Sequence, residues 1–151
     1  MPRWTKGEAV IERLISSGEL QSVRGPAADG EPWLIKAQRT HSSAAGIVTS
    51  DPDSAYVLAY DAARMACTAL LAHQGLRPTT KGGHLVVDEA ARAQFGDSFR
   101  HFRALRIRRN ELEYPAYPGD AAEVAEATAA LADAERIILA VQKVLPHLDL
   151  F

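Results

Sequence analysis

Tyr56, Ala59, Tyr60, Ala63, Cys67, Leu70 and Leu71 recur at steps of three and four along the chain. An α-helix brings the same face round about every 3.6 residues, so this spacing predicts one helix with a continuous buried stripe. No segment of the 151 residues sustains the apolar–polar alternation of a half-buried strand. The chain therefore reads as all-α, an antiparallel bundle of helices joined by short connections.

Punctuation residues divide the remainder. Thr5 followed by Glu8 has the spacing of a capping box, and Val10, Ile11, Leu14 and Ile15 keep helical spacing up to Gly18. Gly25-Pro26-Ala27-Ala28-Asp29-Gly30 is a turn. Asp29 is placed to cap a second helix with Pro32 in its first turn; Leu34, Ala37, His41, Ala44, Ala45 and Val48 carry that helix to the break at residues 50–53. Asp53 or Ser54 caps the central helix, and Gly75 with Pro78 ends it. His84 to Phe95 reads as a fourth helix, because Asp88-Glu89-Ala90-Ala91 outweighs the strand-like Leu85-Val86-Val87. A fifth, capped by Asp97 or Ser98, carries Phe99, Phe102, Leu105 and Leu112 and stops at Pro115. Asp120 caps the longest, which runs to about Leu145 on Val124, Ala127, Leu131, Ala134, Ile138, Val141 and Leu145.

Composition excludes several classes. With 47% hydrophobic and 24% charged residues, the chain suits one globular domain with its own core. A net charge of −2 supplies no global basic field, so nucleic acid would have to be met by a local patch. Cys67 is the single cysteine and reads as a small buried hydrophobe, with no internal disulfide. No apolar run approaches a membrane span, and Met1 to Lys6 lacks the apolar core of a signal peptide. A cytoplasmic protein without membrane contact is expected.

The densest polar chemistry is Arg106-Ile107-Arg108-Arg109-Asn110-Glu111-Leu112-Glu113-Tyr114-Pro115, at the end of the fifth helix. Arg106, Arg109, Asn110 and Glu113 share one stripe at three- and four-residue spacing, beside Leu105 and Leu112. A polar stripe bordering an apolar one suits a groove between helices or a subunit interface. Two guanidinium groups on one face can take a phosphate through paired hydrogen bonds. The plainer alternative is a set of ion pairs on a wet surface. On the central helix, Asp61 and Arg64 are placed to pair with each other or with Arg109. Tyr56 and Tyr60 read as core aromatics with hydrogen-bonded tips.

Three segments resemble the HEPN superfamily, all-α domains of prokaryotic RNases, toxins and nucleotidyltransferase partners. The first is Ala55-Tyr56-Val57-Leu58-Ala59-Tyr60-Asp61-Ala62-Ala63-Arg64, continuing to Ala69-Leu70-Leu71. The second is Lys81-Gly82-Gly83-His84. The third is Arg109-Asn110-Glu111-Leu112-Glu113-Tyr114, followed by a long helix containing Ala134-Glu135. The resemblance implies a single domain over residues 1–151. Residues 53–147 would form a HEPN-like core of four helices, and residues 1–52 an N-terminal helical extension.

The resemblance also implies a function. Nuclease members carry an Arg, then Asn, Asp or His, then three residues and a His, and cleave RNA without metal across a homodimer interface. Arg109 and Asn110 match the first two places; Tyr114 stands where the His belongs. In this reading Arg109 binds the scissile phosphate, Asn110 orients it, and Tyr114 serves as acid or hydrogen-bond donor. Arg106, Glu113, His84, Lys81, Asp61 and Arg64 support the phosphate. A tyrosine with a pKa near 10 is a poor base at neutral pH, whereas His84 is a possible substitute proton carrier. Lys81-Gly82-Gly83-His84 also has the character of an anion-binding helix start, or of a simple turn. His101 lies on the fifth helix eight residues before Arg109, on a nearby but more distant face, and His41, His73 and His147 show no partner spacing. No His/Cys/Asp/Glu set has the spacing of metal ligands, so no metal or cofactor is expected. The function expected is RNA binding or cleavage of toxin–antitoxin or stress/defence type. The competing one is a catalytically inactive module that binds a nucleotide or partners a nucleotidyltransferase-like antitoxin.

Overall fold

The computed structural model of the protein describes residues 3–151. The described residues are mostly helical, with six α-helices: α1 (Glu8–Ser16), α2 (Glu31–Ile47), α3 (Pro52–His73), α4 (Gly83–Phe95), α5 (Arg100–Glu113) and α6 (Val124–Val144). Two short strands, β1 (Leu20–Ser22) and β2 (Leu76–Pro78), pair antiparallel with Leu20 opposite Pro78 and Ser22 opposite Leu76. At three residues each, they are too short for alternation to register in sequence, so an all-helical reading overlooks them.

The central element is α3, which packs against α2, α4, α5 and α6. Thirteen of its 22 residues are buried, so the expected apolar stripe is only part of its buried surface. The remainder is mostly alanine, including Ala62, Ala66, Ala69 and Ala72, and side chains this small let neighbouring helices approach on several sides. The segment before α3 shares this core: among the described residues, Ile11, Leu14, Leu20, Leu34, Ala37 and Ala44 belong to the same buried cluster as α3 and α6. Burial pushes the Cys67 thiol up, which leaves it an unreactive core group.

Several helix starts differ from expectation, and Asp53 and Asp120, both able to cap, are used elsewhere. Gly7, not Thr5, precedes α1, with φ of 74°. A Cβ there would lie 2.4 Å from the Ala93 carbonyl oxygen, so α1 sits against α4 only because this residue is glycine. Asp51 caps α3 by accepting from the Ser54 N–H at 3.1 Å, with Pro52 in the first turn. Asp53 instead accepts from the Ala122 N–H and ties the start of α3 to the approach to α6. A 3₁₀ turn over Gly96–Phe99 leads into α5 without a side-chain cap. Asp120 lies four residues before α6 and pairs with Arg108. Val124, expected in the core, is exposed at the first turn of α6. Among the described residues, no helix is long and apolar enough to cross a membrane.

Candidate functional site

Three helices bring their polar residues together at one place. α3 contributes Tyr60, Asp61 and Arg64; α4 contributes His84 and Asp88; α5 contributes Arg106, Arg109 and Glu113. Tyr60 is at the centre and fully buried. Its ring stacks on Phe102 at 5.6 Å, lies 5.8 Å from the His84 ring, and carries the Arg109 guanidinium 5.8 Å from its centroid. The expected hydrogen-bonded tip is not found: among the described residues, the buried Tyr60 hydroxyl has no partner. Burial pushes this phenol up to about 12, against the opposing pull of Arg64, Arg106 and Arg109. It is a proton-bearing group at any physiological pH.

Each arginine of the cluster meets a carboxylate. Arg109 pairs with Glu113 at 2.8 Å, one helical turn along, and also donates to Asn110 Oδ1 at 3.3 Å. Arg106 reaches the buried Asp88 at 3.4 Å, and Arg64 reaches Asp61 at 3.9 Å. Three cations thus face three anions. Their hydrogen bonding is nevertheless incomplete. The Nε atoms of Arg64, Arg106 and Arg109 are all buried without a partner among the described residues, as is Asp88 Oδ1. Buried polar groups of this kind are rare in native folds, where strain, a functional role or a bound water or ion accounts for them.

His84 borders the same cluster. Burial lowers its pKa, helped by Arg64 and Arg109 and opposed by Asp61 and Glu113. The imidazole is therefore neutral near pH 7, with one nitrogen free to accept a proton.

Not every expected site residue joins. Tyr114 follows the last residue of α5, donates its backbone N–H to the Asn110 carbonyl at 2.8 Å, and holds its side chain 78% exposed. Asn110 is exposed and touches the cluster only through Arg109. The Lys81 ammonium donates to the Ser17 carbonyl at 2.6 Å, which ties the loop before α4 to the end of α1.

Sequence reasoning also passed over residues that matter here. Arg100 and Arg103 continue Arg106 and Arg109 backwards at strict intervals of three, a signal visible in the sequence as soon as the row is counted from its start. With Arg92 and Arg106 they line an open groove of about 830 Å³ between α4 and α5, alongside Asp88, Glu89 and Asp97. Among the described residues, Arg92, Arg100 and Arg103 make no ion pair. Arg108, which faces away from this row, holds both oxygens of Asp120 at 3.0 and 3.1 Å and also reaches Glu126 and Glu111. It fixes the α5–α6 connection. Among the described residues, no group of three or more His, Cys, Asp or Glu is arranged to hold a metal ion.

No protein-family model matches this chain, and neither a curated protein nor a solved structure matches it.

Proposed function

We propose that this chain is a HEPN-like, cytoplasmic protein of toxin–antitoxin or defence type that binds RNA where α3, α4 and α5 meet. The observation that carries this reading is the set of three buried, unpartnered arginine Nε atoms gathered around Tyr60 and His84. A phosphodiester supplies the acceptor oxygens those donors lack, in the paired geometry guanidinium groups favour. The unpaired Arg92, Arg100 and Arg103 extend the cationic surface along the neighbouring groove, as a backbone track requires. Ile107, midway along α5, and Tyr114, just past its end, are two turns apart, expose apolar surface and suit a homodimer contact beside the site.

Metal-independent RNA cleavage needs a base for the ribose hydroxyl and a cation for the charge that develops on phosphorus. His84 takes the first role and Arg109 the second. Tyr114 is left with contacts to the RNA or the second subunit. The charge balance of the cluster favours a second reading, a catalytically inactive module. Asp61, Asp88 and Glu113 compete with any phosphate for the same arginines, and a nucleotidyltransferase-like partner that draws those carboxylates away would open the site.

The test is cleavage of single-stranded RNA and tRNA by the purified chain in excess EDTA. Wild type is run beside Arg109→Ala and His84→Ala, with folding checked by circular dichroism. Cleavage by wild type, reduced about 100-fold or more in both variants, supports the nuclease. RNA binding without cleavage, lost in Arg109→Ala, supports the inactive module. No binding by wild type overturns the nuclease, and no binding after Glu113→Gln, which frees Arg109 of its carboxylate, overturns the inactive module as well.

A further inference from the structure

A second cavity, of about 350 Å³, lies on the side of Arg64 and His84 that faces the N-terminal segment. Its walls come from α2, α3, β2 and α4. Trp33, Leu76 and Val87 give apolar surface, and Arg64, Thr68, Arg77 and His84 give polar groups. Among the described residues, none of those lining it is acidic, although the whole chain is net negative. The larger groove on α5 contrasts with it, because three carboxylates line that one.

We infer that this cavity is a binding site for a small organic anion, a carboxylate or phosphate monoester carried on a planar apolar body. Its volume falls at the lower end of small-molecule sites, which run from about 300 to 1,000 Å³, so it fits one or two fused rings and no polymer. Arg64 lines it, and its guanidinium has one ion pair, to Asp61, that is long at 3.9 Å. Arg77, on β2, is held by Gln21 at 2.8 Å and keeps donors to spare. His84, neutral because burial and the two arginines lower its pKa, adds a donor without adding charge. Trp33 and Val87 supply the surface on which a ring lies. This site shares Arg64 and His84 with the RNA reading, but small-ligand binding is measured on the chain alone, so its failure is distinguishable from a failure of RNA binding or cleavage.

Isothermal titration calorimetry of the full chain with naphthoate, naphthyl phosphate, neutral naphthyl methanol and inorganic phosphate tests it. One or both aromatic anions are expected to saturate at one per chain. Naphthyl methanol and inorganic phosphate should each bind at least tenfold more weakly, since each lacks half of the recognition. Arg64→Gln is expected to weaken the anion at least tenfold, while Arg39→Gln, which removes an exposed charge elsewhere on α2, leaves it within twofold. If Arg64→Gln does not fold, Arg77→Gln on β2 takes its place with the same expectation. Quenching of Trp33 fluorescence in a Trp4→Phe background locates the ligand. The absence of saturable binding by either aromatic anion overturns the proposal. So does equal binding of the neutral analogue, unchanged affinity in the charge-removing variant, or binding that leaves Trp33 emission untouched.

Discussion

Gln74 and Gln94 exchange two hydrogen bonds in the core, the Nε2 of each donating to the Oε1 of the other at 2.9 and 2.7 Å, with both residues fully buried. The pair joins the end of α3 to the end of α4. Gln74 Nε2 donates again to the Leu70 carbonyl, and the Trp4 indole N–H donates to the Gln94 carbonyl at 2.9 Å. The Gln74 carbonyl accepts from the Phe151 N–H, so both ends of the chain are fastened to this one pair. Nothing in the sequence marks it, because its members are twenty residues apart and glutamine is ordinarily a surface residue.

Either glutamine changed to leucine leaves the other with buried, unsatisfied groups. Gln74→Leu or Gln94→Leu is expected to cost about 1–3 kcal/mol each, and the double variant clearly less than their sum. Urea unfolding of the four proteins gives the coupling. Strictly additive losses would mean that the pair makes no cooperative contribution.

Asp120 provides a sharper test of how its side chain is used. Aspartate and asparagine cap helices about equally well, so Asp120→Asn would be silent if this residue were the cap of α6. Paired through both oxygens with Arg108, it should instead lose roughly 1 kcal/mol or more, and the loss should shrink in high salt. The urea midpoint at low and high salt decides between the two roles.

Both of these cases lie beyond what the sequence makes legible. The course of α3 was legible because its apolar residues repeat locally, and the same holds for Arg106, Arg109 and Glu113 on one face of α5. What depends on distant partners was not legible. Tyr60, His84 and Phe102 meet around one ring from three separate helices. Asp88 gave no sign that it is buried under Arg106. Aspartates near helix starts were misassigned because capping, ion pairing and loop tethering use the same short carboxylate. Gly7 gave no hint of its φ or of the Ala93 carbonyl beside it.

The pH dependence of stability should carry the signature of His84. Its pKa is lower in the folded chain than the ordinary value near 6.5, so the unfolded chain binds the proton better. Its contribution to stability is therefore fully present above about pH 6.5 and is lost as pH falls through that value toward the folded pKa. Arg64 and Arg109 oppose the protonated ring, while Asp61 and Glu113 favour it. Melting temperature is expected to fall more between about pH 7.5 and pH 5.5 in wild type than in His84→Gln. Equal falls in the two proteins would show that the histidine is not held neutral by the fold.

The arginine row on α5 predicts how RNA binding, if present, responds to salt. Arg100 and Arg103 are exposed and make no ion pair among the described residues, so removing either should leave the fold intact. Neutralising one phosphate fewer on a single strand lowers the slope of log affinity against log salt by about 0.7. Arg100→Ala and Arg103→Ala are each expected to flatten the slope by roughly that amount and to weaken all sequences alike. Arg109→Ala should do more, because its guanidinium lies over the Tyr60 ring and is held by Glu113, and its loss disturbs the cluster itself. Fluorescence anisotropy with a labelled single-stranded RNA across a salt series measures all three. Slopes unchanged in Arg100→Ala and Arg103→Ala would remove the groove from the binding path and confine any RNA binding to the junction around Tyr60.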